Sequence, residues 1–356
     1  MLEIPESAFC AWRLHAPAAP STARIVAFRV ATEAIVAFEQ VRKIAEECDD
    51  KDLLTVGQLS TYWLTLVGRL GDAFAVVEEM IESTQSDPNL GRATFGFCAR
   101  AWAEMWRGWV LGHMGRLEES RASFDEASDL ARAYDDAETL GWTLCSYAQL
   151  AWLSGEPGDS LHRAREGALI AEGSGSSISL CLANLTLAFA YLARGEWDEA
   201  QAAAERALEM VRGAHTGLQY ESLILSMIAE AKLATGDYAG GLEAAEQGVA
   251  SAQDSKTRLH ELEARLSLAR AVLASGGAAA RVRIAQLLDE TMALALECGA
   301  GSHVPRVHIE LAELSHLEGD EEGYERELRE AQRLFEEIGA RGRAATVASQ
   351  LAALPA

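Results

Sequence analysis

Apolar positions along this chain recur in a two-helix rhythm. In the stretch Ile178 to Arg194 (ISLCLANLTLAFAYLAR) they are dense enough to predict a buried helix. Gly195-Glu196 then makes a turn, and Trp197-Asp-Glu-Ala200 opens a second helix. Small or apolar residues fall at Leu187, Ala188 and Tyr191 before that turn and at Ala200, Ala204 and Ala207 after it. The same arrangement of apolar helix, glycine and alanine-rich polar helix returns at Gly71, Gly115, Gly155, Gly195, Gly236, Gly276 and Gly319. The spacings are 44, 40, 40, 41, 40 and 43 residues. Glycine suits the left-handed residue that ends a helix, and the Asp, Glu or Arg that follows suits the start of the next.

A repeat of about 40 residues predicts an all-α chain in one array. Ala31 to Glu47 reads as the second helix of a partial unit before the first glycine, and Arg341 to Leu354 as a helix capping the last unit. The links Ser86-Asp-Pro-Asn89, Gly173-Ser-Gly-Ser-Ser177 and Gly299-Ala-Gly-Ser302 are turns rather than domain linkers. Residues 21–356 are therefore expected to form one domain. Residues 1–20, with Pro5, Pro17 and Pro20, read as an irregular N-terminal segment.

The small-residue positions around each glycine match the helix-packing sites of tetratricopeptide repeats, where short side chains let helices approach closely. The period exceeds the usual ~34 residues and is shared by HEAT-like repeats, but the glycine, acid and aromatic junctions GEWDEA and GDYAGG favour the tetratricopeptide-like class. The expected fold is a right-handed α-solenoid of about seven such units. Three segments carry a further resemblance: DPNLGRATFGFCARAWAEMWRGWVLGHMGRLEESRASFDEASDLAR, ISLCLANLTLAFAYLARGEWDEAQAAAERALEM and VPRVHIELAELSHLEGDEEGYERELREAQRLFEEIGARGRAATVASQL. They resemble the C-terminal repeat region of bacterial proteins that join a class III adenylate or guanylate cyclase to a STAND-type AAA ATPase; related arrays occur in LuxR-type regulators. The resemblance implies a sensor or docking arm, with catalysis upstream. No G-x-x-x-x-G-K-[ST] loop and no paired metal-binding aspartates occur, so the chain is expected to be neither cyclase nor ATPase, whether it is a fragment or a stand-alone relative.

Composition narrows the partners. A net charge of −23 with no basic patch argues against nucleic acid. The N-terminus MLEIPESAFC lacks a secretory pattern, and the run Ile178 to Ala193 is shorter than the ~20 residues a span requires. Six cysteines, at 10, 48, 98, 145, 181 and 298, form no C-x-x-C pair, which fits reduced thiols in the bacterial cytoplasm. Of the eight histidines only His303, His308 and His316 cluster, and their spacing does not converge on a metal. The acidic runs Glu46-Glu47-Cys48-Asp49-Asp50 and Asp320-Glu321-Glu322 sit at a helix end and a helix start, where the second complements the helix dipole. No catalytic triad order stands out, so neither enzyme activity nor a cofactor is expected.

The candidate site is an aromatic stripe. In CARAWAEMWRGWVLGHMG, with Trp102 at zero on a helical wheel, Trp106 lies at about 40°, Trp109 at about −20° and His113 at about 20°. Counted back from the turn glycine, these tryptophans fall on positions that face the concave side of a standard repeat. The next unit adds Trp142, Gln149 and Trp152, and Met105 completes the set. Two readings fit: a groove for a peptide, protein or small effector, or packing of first helices against one another. The functional expectation is a non-catalytic interaction or sensor scaffold. A tryptophan-lined pocket for a small molecule, or self-assembly into a homo-oligomer through the ends of the array, are the alternatives.

Overall fold

The computed structural model describes residues 31–354, and all regular structure among them is helical; the irregular segment 1–20 lies outside the described residues. Helix α1 (Ala31–Cys48) belongs to the partial unit. Unit 1 comprises α2 (Lys51–Gln58), α3 (Ser60–Leu66) and α4 (Leu70–Ser83), and is followed by the short α5 (Arg92–Phe95). Unit 2 pairs α6 (Ala99–Met114) with α7 (Leu117–Ala133), unit 3 α8 (Ala137–Ser154) with α9 (Ser160–Ser174), and unit 4 α10 (Ser177–Arg194) with α11 (Trp197–Ala214). Unit 5 pairs α12 (Glu221–Ala234) with α13 (Tyr238–Ser255), unit 6 α14 (Arg258–Gly276) with α15 (Arg281–Cys298), and unit 7 α16 (Val304–Glu318) with α17 (Glu321–Glu337). Helix α18 (Arg341–Ala352) caps the array. The fold is an all-α solenoid of seven tetratricopeptide-like units.

Gly115, Gly155, Gly195, Gly236 and Gly319 take φ values of 72 to 87° at their turns, a region that disfavours any side chain. Two turns lie elsewhere than the sequence spacing suggests. Gly71 is inside α4, and Gly68, at φ 79°, makes that turn; GRLGDAF aligns with GRLEES on its first glycine. Gly276 ends α14 without a positive φ, and the 3-10 turn Gly277–Ala280 leads into α15.

Sequence composition decides which helix lies inside. In α8 every residue from Thr143 to Ala151 is buried, whereas α11 buries only Ala200, Ala203, Ala204, Ala207 and Val211. An all-round apolar helix must be enclosed, and an amphipathic one covers it from one side. Helices α6, α8, α10, α12, α14 and α16 therefore pack side by side as an inner layer, with the second helices outside. Helix α10 is long and apolar enough to cross a membrane by length and composition; here it is the inner helix of unit 4, packed against α8 and α11.

The inner layer also closes on itself. Helix α14 touches α3, and α18 touches α8. Ser302 donates from both N and Oγ to the carbonyl of His113, at 3.1 and 3.0 Å, and Arg341 pairs with Glu118. One superhelical turn thus brings units 6 and 7 back onto units 1, 2 and 3, and the concave face becomes an interior.

Candidate functional site

The stripe on α6 becomes a continuous ladder of rings. Phe97 stacks on Trp102 at 6.0 Å between centroids, Trp102 meets Trp106 at 5.8 Å, Trp106 meets Trp109 at 6.0 Å, and Trp109 stacks on His113 at 6.1 Å. His113 stacks in turn on His303 of unit 7, at 5.7 Å with planes 12° apart. Tyr62 braces the ladder edge-on, 4.8 Å from Trp63 and 5.1 Å from Trp106. Such offset and edge contacts are the favoured aromatic geometries.

Polar tips are tied off by hydroxyls from neighbouring helices. Trp109 Nε1 donates to Ser146 Oγ at 2.7 Å, and Trp142 Nε1 to Ser179 Oγ at 3.2 Å. The Gln149 amide donates to His113 Nε2 at 2.9 Å, which places the ring proton of neutral His113 on Nδ1. Gln219 donates to Tyr62 Oη, and His260 Nδ1 donates to the Gln219 carbonyl at 2.8 Å.

The rings line a cavity of about 130 Å³. Its walls come from α1, α3, α6, α8, α10, the turn before α12, and α14. Trp102, Met105, Trp106, Trp109, His113 and Trp142 line it; Gln149 and Trp152 do not. Gln149 orients His113, while Trp152 lies under the guanidiniums of Arg306 and Arg343, 5.7 and 4.8 Å from its ring centre. Tyr62, Trp63, Gln219, Tyr220 and His260 also line the cavity, and sequence reasoning passed over them because they come from units far apart in the chain.

Among the described residues, no Asp, Glu, Lys or Arg lines this space. Burial, helped by neighbouring His303, pushes His113 down to about 3, and burial pushes His260 down to about 4 against the pull of its hydrogen bond to Gln219. Burial raises Tyr62 to about 12. The wall is therefore uncharged at neutral pH. Two lining residues keep a buried polar atom that has no hydrogen-bond partner among the described residues: Nδ1 of His113 and Oε1 of Gln219.

Behind His113 the chemistry changes. His303 Nε2 lies 3.1 Å from Glu263 Oε1, to which Arg306 Nη1 donates at 2.6 Å. Burial alone would raise the Glu263 carboxyl, but Arg306 and His303 hold it well below the usual range. His308 and His316 take separate partners, Glu327 and Glu321, at 2.8 and 3.4 Å. Among the described residues no group of three or more His, Cys, Asp or Glu side chains is placed to hold a metal ion.

No protein-family profile and no curated protein sequence matches this chain. Among solved structures it is similar to a Rap protein complexed with Competence and Sporulation Factor, at 14% identity over 98% of this chain and 97% of that one, with a TM-score of 0.60. It is also similar to the apo form of RapI, at 14% identity over 85% and 99% of the two chains, TM-score 0.52. Aspartyl phosphate phosphatase F from Bacillus subtilis gives 14% identity over 99% and 94%, TM-score 0.50. Likeness at this identity establishes the fold, a tetratricopeptide-like helical repeat array. It does not reach the narrower cyclase-associated or LuxR-type family.

Proposed function

We propose that this protein is a non-catalytic sensor and interaction scaffold of the bacterial cytoplasm that takes an uncharged apolar group into the tryptophan-lined cavity. The observation that carries this reading is the cavity itself, walled by aromatic rings from several units with no formal charge. Convergent apolar walls with a few polar atoms are the usual make-up of a ligand site. The unpartnered atoms of His113 and Gln219 favour a ligand with a small hydrogen-bonding handle. Complex formation by a Rap protein of similar fold with Competence and Sporulation Factor supports effector binding as a role for this chain. The resemblance noted in the sequence suggests that the output is regulation of a signalling ATPase, cyclase or transcriptional regulator.

Closure of the superhelix favours a second, narrower form of this reading, in which the occupant is a small molecule or a single apolar side chain rather than an extended peptide. An engineered apolar cavity of about 150 Å³ accepts benzene; the cavity here is of that size. Benzyl alcohol and short apolar peptides are the discriminating probes, read by thermal shift and intrinsic fluorescence. Benzyl alcohol should raise the melting temperature of the wild type, and Leu182→Trp, which fills the cavity from its α10 wall, should abolish that rise. A wild type indifferent to every probe, or a response that survives Leu182→Trp, sinks the reading.

A further inference from the structure

Beyond the aromatic cavity, the inner wall holds a buried cation with unused donors. Arg306, in the first turn of α16, is 1% exposed. Its Nη1 donates to Glu263, but its Nε and Nη2 have no hydrogen-bond partner among the described residues. Those two N–H groups form the side-on edge of the guanidinium, a parallel pair that matches the two oxygens of a carboxylate. A buried donor left unmade is costly, and more so on a charged group, so an idle pair on a buried arginine calls for a partner.

The carboxylates nearby are already committed. Glu263 serves Arg306 and faces His303. Glu230 and Glu310 take Arg270, at 2.7 and 2.5 Å, and Glu230 also accepts from Ser267 at 2.8 Å. A second guanidinium, that of Arg343 on the capping helix, binds only the backbone carbonyls of Trp152 and Leu153. It shares the Trp152 ring with Arg306. Among the described residues, Glu263 is thus the one carboxylate directly bonded to either Arg306 or Arg343, while Glu230 and Glu310 pair with Arg270. Burial, and then Arg306 and Arg270, work against the charge on Arg343, while Glu263 and Glu230 support it. Arg343 and Trp152 are partly exposed, whereas Arg306 beneath the Trp152 ring is not.

We propose that the side-on edge of Arg306 is a carboxylate-recognition site, covered by Arg343 and Trp152 until an acid displaces them. The site is distinct from the aromatic cavity and does not depend on it, although the stacked pair His113 and His303 joins the two. The acid can be a small aryl or alkyl carboxylate or the C-terminus of a peptide; the chemistry recognised is the same.

The test compares acid and amide forms of one ligand on the full chain. Phenylacetate against phenylacetamide represents the small-molecule source, and Ala-Ala-Phe with a free or an amidated C-terminus the peptide source, each titrated calorimetrically. In the wild type at least one acid should bind tenfold or more tightly than its amide. Arg306→Lys keeps a cation beside Glu263 but lacks the fork, and should erase that preference. Glu263→Gln removes the competing carboxylate and should strengthen acid binding several-fold, so the idea stays testable if Arg306→Lys folds poorly. Equal binding of acid and amide in both pairs, or an acid preference that survives Arg306→Lys and is unmoved by Glu263→Gln, overturns the proposal. The benzyl alcohol response, which makes no use of Arg306, reports separately on the cavity.

Discussion

At the scale of single residues, burial keeps the ionisable rings of the cavity wall neutral. His113 and His260 bind a proton readily in the unfolded chain, near pH 6.5, but only at about 3 and about 4 in the fold. Between those limits the unfolded state takes up protons that the folded state refuses. Stability is therefore expected to be fully present above about pH 6.5 and to fall as pH drops toward 4. Glu263 adds to the loss at lower pH, because its depressed carboxyl contributes stability above the ordinary carboxylate range that disappears as pH falls through the folded value. Urea midpoints measured from pH 7.5 to 4.5 check this, with His260→Asn as the partner experiment. Asn keeps a donor for the Gln219 carbonyl and should flatten the slope, and a wild-type midpoint constant over that range would contradict the assignment. The sequence shows the stripe of Trp102, Trp106, Trp109 and His113, because helical spacing is a local property. It does not show His113 lying flat on His303, a contact between residues 190 positions apart.

At the scale of helices, the legible part was composition and the hidden part was register. Inner helices such as α10 announce themselves by apolar residues on every side, and outer ones such as α11 by a single alanine stripe. The turn at Gly68 was missed because Gly71, three residues on, fits the repeat spacing better; the loop and short α5 that follow unit 1 stretch that interval to 47 residues, from Gly68 to Gly115. Close packing between paired helices yields two glycine substitutions of opposite sign. A Cβ on Gly108, in α6, would stand 2.4 Å from the Phe124 ring of α7. Gly108→Ala should cost about 1–3 kcal/mol through overpacking, although alanine is the better helix former by about 1 kcal/mol. Gly173→Ala, near the end of α9 with nothing within 4 Å, should instead stabilise by about 0.5 kcal/mol. Chemical denaturation of the two variants separates the effects, and a neutral Gly108→Ala would show that the α6 and α7 crossing is looser than it stands here.

At the scale of the whole molecule, closure depends on backbone meeting backbone. Gly301 lies against the Met114 carbonyl and Gly342 against that of Gly155; a Cβ would come within 2.5 Å of the first oxygen and 2.1 Å of the second. Both contacts join units a full superhelical turn apart. Sequence could not reveal them, because the pitch is a small rotation per unit summed over several units, and a modest error in that rotation moves the join by a whole helix diameter. The same contacts decide whether the tryptophan wall is an interior or a groove, since Tyr62 reaches Gln219 only across the join. A ligand that needs both sides of the cavity binds only while these points are joined, so parting them should weaken it. Gly301→Val combined with Gly342→Val wedges the join apart while leaving each helical pair intact. The double variant should keep the helical circular dichroism of the wild type, scatter X-rays with a larger radius of gyration, and expose its tryptophans to acrylamide. Its affinity for apolar probes should fall in proportion to the closed fraction lost. Unchanged scattering and quenching in a folded double variant would show that the turns are held together elsewhere.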